Sequence, residues 1–279
     1  MIRATVGILA SQGGVELLLD TYTGAAAAYS LRLLSSTYTG DAIRVRRASD
    51  NTEQDIGFVN NELDTSTLTS FCSGTNGFVK TWYDQSGNAN NATQTTAANQ
   101  PQIVSGGSVI TENGKPSIDF DGSDDGLQTG GNPFNETEST LIAVLKQNAI
   151  TTDYKRLFCI GAYNDGRYLG SNINSDDMLA IFNNSDLSGF GGVSTSQNLS
   201  IMYNNSTSGV LRQNGAAIST KVASNSSFGN ENLYIGTDKQ NTSGEFWNGS
   251  IQECIYYGTS QSSNVSGIET NLNDFYSIY

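Results

Sequence analysis

Short apolar runs separated by paired turn residues are the feature that most limits the fold of this chain. Residues 43–46, 117–120 and 253–256 alternate between apolar and polar side chains, whereas residues 140–145 and 157–160 are continuously apolar. Asn-Gly or Asp-Gly pairs stand at 113–114, 121–122, 165–166, 214–215 and 248–249. Strands separated by such turns favour a β-sandwich or jelly roll over alternating α/β units.

Three short helices are predicted among these strands. Residues 25–34 are rich in Ala and Leu, which are good helix formers. Asp64 can cap a helix over residues 65–71, and Ser262 or Ser263 can cap a C-terminal helix with one apolar face. No linker composition divides the chain, so we expect a single domain over residues 21–279. Residues 1–20 form an apolar N-terminal segment that could act as a docking or assembly arm, with an ordinary edge strand as the alternative.

The charged residues exclude several kinds of site. The chain has no histidine, which rules out Ser-His-Asp and Cys-His nucleophiles and His-ligated metals. Its 27 acidic residues against 14 basic ones give a net charge of -13, which argues against nucleic acid as a partner. No run reaches the roughly 20 apolar residues of a membrane helix, so no membrane insertion is expected. Two-carboxylate chemistry remains open.

Two blocks of the sequence resemble known domains. Residues 77–94, which contain Tyr-Asp-Gln-Ser-Gly at 83–87, resemble the catalytic domain of fungal α-L-arabinofuranosidase B. Residues 233–253 are similar to the last strands of laminin G-like and concanavalin A-like domains, as is the hairpin at 210–215. The resemblance implies an all-β, concanavalin A-like jelly-roll β-sandwich with a few short helices. The stretch 17–32 also resembles the opening of domains in bacteriophage virion proteins, such as tail or head fibres.

The resemblance assigns only half of a catalytic pair. Asp238 stands where the family has its acid/base, but Phe182 stands where the family has its nucleophilic glutamate. Ala180 replaces a neighbouring acidic sugar contact. The inherited mechanism therefore lacks its nucleophile, and the spacing of the remaining acids pairs none of them across a cleft. These acids are Asp176, Asp177, Asp186, Glu245 and Glu253.

The cysteines depart from the same family pattern. An odd number of cysteines cannot pair completely within the chain, and Cys72, Cys159 and Cys254 are predicted to be small buried residues. In the family, Cys72 would pair with a cysteine five residues later, where this chain has Gly77. Cys159 alone remains of a vicinal cysteine pair. The loss of these disulfides indicates a protein that folds in a reducing cytoplasm.

Several side chains are candidates for binding a ligand. Aromatic rings beside polar side chains can stack on sugars, with core packing as the alternative. The carbohydrate-binding candidates are Trp82, Tyr83, Tyr163, Tyr168, Tyr203, Trp247 and Asp238. Residues 83–87 are most simply a structural turn. Asp121, Asp124 and Asp125 could hold Ca²⁺, with a plain acidic turn as the alternative, and no other cofactor is expected.

Three functional hypotheses follow. The first is a non-enzymatic bacteriophage virion structural protein, a fibre, spike, tail or capsid-surface component that assembles in the host bacterial cytoplasm. Its partners would be other virion proteins, further copies of itself in a homo-oligomer such as a trimer, and a cell-surface glycan. The alternative is an arabinofuranosidase-like glycoside hydrolase with Asp238 as acid/base. The third is a bacterial lectin-like surface module.

Overall fold

The structure is a computed structural model. It describes residues 16–131, 133–149, 155–161, 167–171, 177–182, 185–192, 195–205, 208–221, 229–239 and 244–279. For residues 168, 177–182, 185–192 and 221 it describes the backbone alone. Most of the N-terminal segment at 1–20 therefore lies outside the described residues, and its role as a docking arm stays a prediction. Leu18 and Leu19 at its end are buried in the short helix α1.

The described elements are mostly strands. The helices are α1 (Leu18–Thr21), α2 (Thr65–Phe71) and α3 (Val265–Tyr276). The strands are β1 (Ala27–Ser30), β2 (Ile43–Arg47), β3 (Glu53–Ile56), β4 (Phe58–Val59), β5 (Glu62–Leu63), β6 (Gly77–Trp82), β7 (Ala92–Thr93), β8 (Gln102–Ser105), β9 (Ser108–Val109), β10 (Thr111–Glu112), β11 (Lys115–Pro116) and β12 (Ile118–Asp121). They continue as β13 (Leu127–Gln128), β14 (Ser139–Gln147), β15 (Lys155–Ile160), β16 (Arg167–Ser171), β17 (Asp177–Phe182), β18 (Ser185–Gly192), β19 (Asn198–Asn204), β20 (Gly209–Gln213), β21 (Ala216–Lys221), β22 (Leu233–Ile235) and β23 (Asn248–Tyr257).

Strand β14 shows why one run of the sequence is apolar throughout. Leu141, Ala143 and Leu145 belong to the main core, whereas Ile142 and Val144 belong to a second cluster beneath helix α3. Successive side chains of a strand point to opposite faces, so a strand that is covered on both faces needs apolar residues at every position.

The strands form a jelly-roll sandwich in which all the described strand pairings are antiparallel. Strand β23 pairs with β1, β12 and β14, and β14 continues through β19, β20 and β21. A second series runs from β2 and β6 through β7, β13 and β22 to β15, β16, β17 and β18. Strand β8 links the two series through β12 and β6. The prediction of an all-β jelly-roll sandwich is confirmed.

Helix α3 covers the outer face of the first series. Its residues Ile268, Leu272 and Tyr276 pack in the second cluster with Ile142 and Ile255. The predicted apolar face is thus confirmed, but the helix begins at Val265 after Asn264, not after Ser262 or Ser263. Among the described residues, no helix combines the length and apolarity required to cross a membrane.

Of the two other predicted helices, the one at 65–71 is present and the one at 25–34 is not. Asp64 caps α2 as predicted, since its Oδ1 accepts a hydrogen bond from the Thr67 amide at 2.9 Å. The predicted helix at 25–34 is wrong, because Ala27–Ser30 forms strand β1. All four residues of β1 are buried and pair with β23. Burial and strand pairing outweigh the small helix preference of alanine here.

Some of the predicted turn pairs form hairpin turns, and one does not. Asn113-Gly114 and Asn214-Gly215 have positive φ at both residues and close the β10–β11 and β20–β21 hairpins. The pair at 248–249 is not a turn, because it lies inside β23. There Gly249 has a φ of 152°, and a Cβ would collide with the carbonyl oxygen of Lys146. The pair at 165–166 lies outside the described residues.

Replacement of Gly77 by cysteine is expected to form a disulfide with Cys72. A Cβ at position 77 would lie 2.7 Å from the Cys72 sulfur. This is close to the distance between the Cβ of one cysteine and the sulfur of the other in a disulfide. The bond would close a short loop and should add about 2 kcal/mol to the free energy of unfolding. Thiol titration in denaturant and urea unfolding with and without reductant measure this. Gly77→Ser is the matched control for crowding, and a Gly77→Cys protein in which all four thiols titrate would contradict the prediction.

Candidate functional site

The segment at 83–87 is a structural turn. The Asp84 carboxylate accepts hydrogen bonds from the amides of Ala28 and Asn90, and Gln85 accepts one from the Leu34 amide. Gly87 has a φ of 90°, as a glycine in a tight turn can. These side chains tie β1 and the segment after it to the end of β6, which leaves them engaged in the fold and not free for a ligand.

The aromatic candidates are mostly core residues. Trp82 and Trp247 are 0% exposed, so neither ring offers a face to a sugar. Tyr83 is half-buried and donates a hydrogen bond to Asp55 at 2.7 Å. Tyr203 packs against the cluster beneath α3. Tyr163 lies outside the described residues, as does the side chain of Tyr168. For both tryptophans the structure favours core packing over stacking on a ligand.

Asp238 reaches its position through a turn that follows β22. Gly236 has a φ of 80° there, and a Cβ at this residue would collide with the Phe120 ring. The Gly236 amide donates a hydrogen bond to the carbonyl of Leu157, and the Trp247 amide donates one to the carbonyl of Gly236. These bonds fix the turn between β15 and the segment before β23, and Asp238 emerges from it beside β15.

A second carboxylate meets Asp238 on one arginine. Arg156 Nε lies 3.4 Å from Asp238 Oδ2 and 2.9 Å from Glu245 Oε2, and Arg156 Nη2 lies 2.5 Å from the same Glu245 oxygen. The side chains of Arg156 and Asp238 are 3% exposed, whereas that of Glu245 is 23% exposed. We call Asp238, Arg156 and Glu245 the carboxylate cluster. Sequence reasoning named both acids but could not pair them, because Arg156 is distant in the chain.

Cys159 lies beside this cluster in strand β15. Burial raises the pKa of its thiol well above the usual value, Arg156 opposes this, and the negative charges of Asp238 and Glu245 add to it. A buried thiol that keeps its proton is not a nucleophile. Cys72, Cys159 and Cys254 are all free and buried, which confirms the prediction of buried cysteines.

The other acids and Phe182 do not complete a second site among the described residues. Glu253 is engaged in a buried ion pair with Arg32. Asp176 lies outside the described residues, and for Asp177 and Asp186 only the backbone is described. Phe182 ends strand β17 and its backbone pairs with Arg167 of β16; its side chain lies outside the described residues.

The three aspartates of the predicted calcium site do come together. One carboxylate oxygen from each of Asp121, Asp124 and Asp125 lies within 4.8 Å of the others. Burial raises the pKa of Asp125 to about 7, and the negative charges of its neighbours contribute to the shift. A hydrogen bond from the Asp121 amide acts in the opposite direction. Calcium binding by these residues stays a prediction.

Comparisons with known proteins point to arabinofuranosidases. Residues 17–120 match the family model described as "Alpha-L-arabinofuranosidase B, catalytic". A mutant GH54 α-L-arabinofuranosidase soaked with 4-nitrophenyl α-L-arabinofuranoside is similar with a TM-score of 0.72 and 18% identity. An arabinofuranosidase complexed with arabinofuranosyl-α-1,2-xylobiose gives a TM-score of 0.71 and 18% identity. Both alignments cover 93% of this chain and 64% of the other. No curated protein sequence matches.

More distant structures share the architecture as well. A Trypanosoma rangeli sialidase in complex with a difluoro-KDN ligand gives a TM-score of 0.50 at 12% identity, covering 70% of this chain and 31% of that one. At such identities the likeness establishes the fold alone. The chain spans 64% of the length of the arabinofuranosidase structures.

These matches correct the first functional hypothesis. The predicted relation to the arabinofuranosidase B catalytic domain is confirmed for residues 17–120 and for the fold. The prediction of a bacteriophage virion or tail-fibre protein is wrong, because the matched family model and the similar structures are those of arabinofuranosidases. The stretch 17–32, which suggested the virion protein, forms α1, β1 and the bonds to the turn at 83–87. It thus belongs to the fold that the arabinofuranosidases share.

Proposed function

We propose that this chain is an arabinofuranosidase-like glycoside hydrolase domain that acts on α-L-arabinofuranosyl groups. The observation that carries the proposal is the meeting of Asp238 and Glu245 on Arg156. A retaining glycosidase needs two carboxyl groups about 5–5.5 Å apart, and two carboxylates that share one guanidinium can satisfy this spacing. The match of residues 17–120 to an arabinofuranosidase model supports the choice of sugar.

The two acids would take different roles because their surroundings differ. Glu245 is the more exposed, and Arg156 holds its Oε2 through two N–H groups, so we assign it the nucleophile. Its oxygen would attack the anomeric carbon while the bond to the leaving oxygen breaks, forming a glycosyl ester. Asp238 would give its proton to the leaving oxygen. It would then take a proton from the water that hydrolyses the ester.

Kinetics on 4-nitrophenyl α-L-arabinofuranoside and on an alkyl α-L-arabinofuranoside test the proposal. Glu245→Gln is expected to lower kcat at least 100-fold on both substrates. Asp238→Asn should lower the rate of the first step more on the alkyl glycoside, since nitrophenolate leaves without a proton. Azide should restore turnover to Glu245→Ala by taking the place of the carboxylate. Glu231→Gln is the matched control and should keep full activity. Glu231 lies just before strand β22, which Asp238 follows, and it pairs with Lys239.

A second candidate function is sugar binding without turnover. Phe182 favours it, because a phenyl ring stands where the resemblance puts the nucleophile and cannot attack an anomeric carbon. In that case the parent protein would bind the nitrophenyl glycoside but release no nitrophenol. Unchanged turnover in Glu245→Gln would instead refute the assignment of Glu245.

A further inference from the structure

A small polar cavity adjoins the turn that carries Asp238. Its volume is about 170 Å³, and Thr237 lines it while the next residue belongs to the carboxylate cluster. The opposite walls come from the segment at 94–99 and from residues 124–128. Sites for drug-sized ligands measure about 300–1,000 Å³, so this cavity suits a smaller guest, such as a single sugar ring.

The walls of the cavity are held together by hydrogen bonds of the fold. Gln94 Nε2 donates to the Gly126 carbonyl at 2.8 Å, and Gln94 Oε1 accepts from the Thr96 amide at 3.1 Å. The Gly126 amide donates to the Asn99 carbonyl at 3.2 Å. Gly126 also packs directly on Thr237, since a Cβ there would lie 2.5 Å from its methyl group. These contacts set the spacing of the backbone segments around the cavity before any ligand enters.

The side chains that line the cavity keep their hydrogen-bonding capacity. Thr96, Asn99, Asp124 and Gln128 make no side-chain hydrogen bond to any residue that the structure describes. Two amide groups and a hydroxyl can each donate and accept, and the carboxylate of Asp124 accepts. A ring that carries several hydroxyl groups offers the complementary mixture of donors and acceptors.

The charge of the walls selects against an anion. Among the residues that the structure describes, no Lys or Arg lines the cavity, and Asp124 stands within 4.8 Å of the carboxylates of Asp121 and Asp125. A phosphate or a uronate would meet like charge without a compensating cation. The described lining residues include no aromatic side chain either, so hydrogen bonds would have to provide the recognition.

We propose that this cavity is a separate subsite that binds one neutral sugar ring of a polysaccharide. It stands apart from the carboxylate cluster, and binding there does not require that the cluster hydrolyses a glycoside. Because Thr237 and Asp238 are consecutive, a branched or extended saccharide could occupy the subsite and approach the cluster together.

Titration of the full chain with three probes tests this subsite. Methyl α-L-arabinofuranoside and methyl β-D-xylopyranoside stand for neutral rings and glucuronate for an anionic one, with binding followed by ligand-observed NMR. At least one neutral glycoside is expected to bind and glucuronate is not. The Asn99→Ala/Gln128→Ala protein should bind about tenfold more weakly, as expected for the loss of two hydrogen bonds. Gln128→Glu, which keeps the size of the side chain, should weaken binding by adding a charge.

Two controls separate this subsite from the proposed catalytic site. Thr95→Ala changes an exposed neighbour that does not line the cavity and should bind as the parent does. Glu245→Gln, which tests the hydrolase proposal, should retain binding at the cavity. The subsite proposal is overturned if the parent binds neither neutral glycoside, if the double variant binds as tightly as the parent, or if only Glu245→Gln loses binding.

Discussion

Replacing Glu253 with glutamine is expected to lower the free energy of unfolding by about 3–5 kcal/mol. Glu253 lies in β23 and is fully buried. Its Oε2 accepts hydrogen bonds from Arg32 Nε at 2.9 Å, from Ser30 Oγ at 2.8 Å and from Tyr276 Oη at 3.0 Å. The buried charge of Arg32 would lose its counter-ion. The amide nitrogen of the new glutamine would also stand where a carboxylate oxygen now accepts hydrogen bonds.

Urea unfolding of the parent and the variant measures this loss. Glu53→Gln is the matched control, because Glu53 pairs with Lys80 at 2.7 Å and with Arg44 at 2.8 Å but is 24% exposed. Exposed ion pairs contribute up to about 1 kcal/mol each, so the control should lose no more than about 2 kcal/mol. If the free energy of unfolding of Glu253→Gln lies within about 1 kcal/mol of the parent's, the hydrogen bonds of Glu253 to Arg32, Ser30 and Tyr276 do not stabilise the fold as expected.

Replacing Asp84 with alanine is expected to cost at least about 3 kcal/mol. Its carboxylate accepts hydrogen bonds from the amides of Ala28 at 2.8 Å, Ser86 at 2.9 Å and Asn90 at 2.9 Å, and from Ser86 Oγ at 2.7 Å. Asp84 is buried, so water cannot easily replace it. Each buried donor that loses its acceptor costs about 1–3 kcal/mol.

Hydrogen exchange can locate the effect as well as measure it. The amides of Ala28 and Asn90 should exchange faster in Asp84→Ala, while amides in the core of β14 should change only as far as global stability does. Asp84→Asn keeps one acceptor oxygen and should fall between the parent and Asp84→Ala. Asp50→Ala, which removes an exposed acid paired with Arg47, is the control. Unchanged exchange at Ala28 would count against the turn as a structural anchor.

The sequence predicted those elements whose local pattern agrees with their final surroundings. The run at 140–145 is apolar because both faces of β14 are covered, and Asp64 caps α2 through a bond within the same turn. The segment at 25–34 failed because its alanines pair with β23, more than 200 residues away. The predicted turn at 248–249 is wrong for the same reason. Gly249 adopts its φ to allow close contact with β14, and no turn forms there.

The candidate site was predictable only in part. Asp238 and Glu245 were among the acids available in the sequence, but their meeting depends on Arg156, which lies 89 residues before Glu245 in the chain. Trp82 and Trp247 suggested sugar stacking because sequence alone does not show which face of a strand is buried. The cavity beside Thr237 had no signal in the sequence, since its walls come from three separate segments.

The pairing of β1 with β23 has a consequence for synthesis on the ribosome. Ala27 pairs with Tyr256 and Ser30 with Glu253. Strand β1 therefore cannot pair with β23 until nearly the whole domain has been synthesised. At about 5–20 residues per second this delay lasts roughly 10–50 seconds. During that time the alanine-rich segment has no strand partner, and its own preference is for a helix. Residues 27–30 must therefore give up any local helical conformation and pair with β23 once that strand has been synthesised. The docking of β1 on β23 is thus a late step of folding.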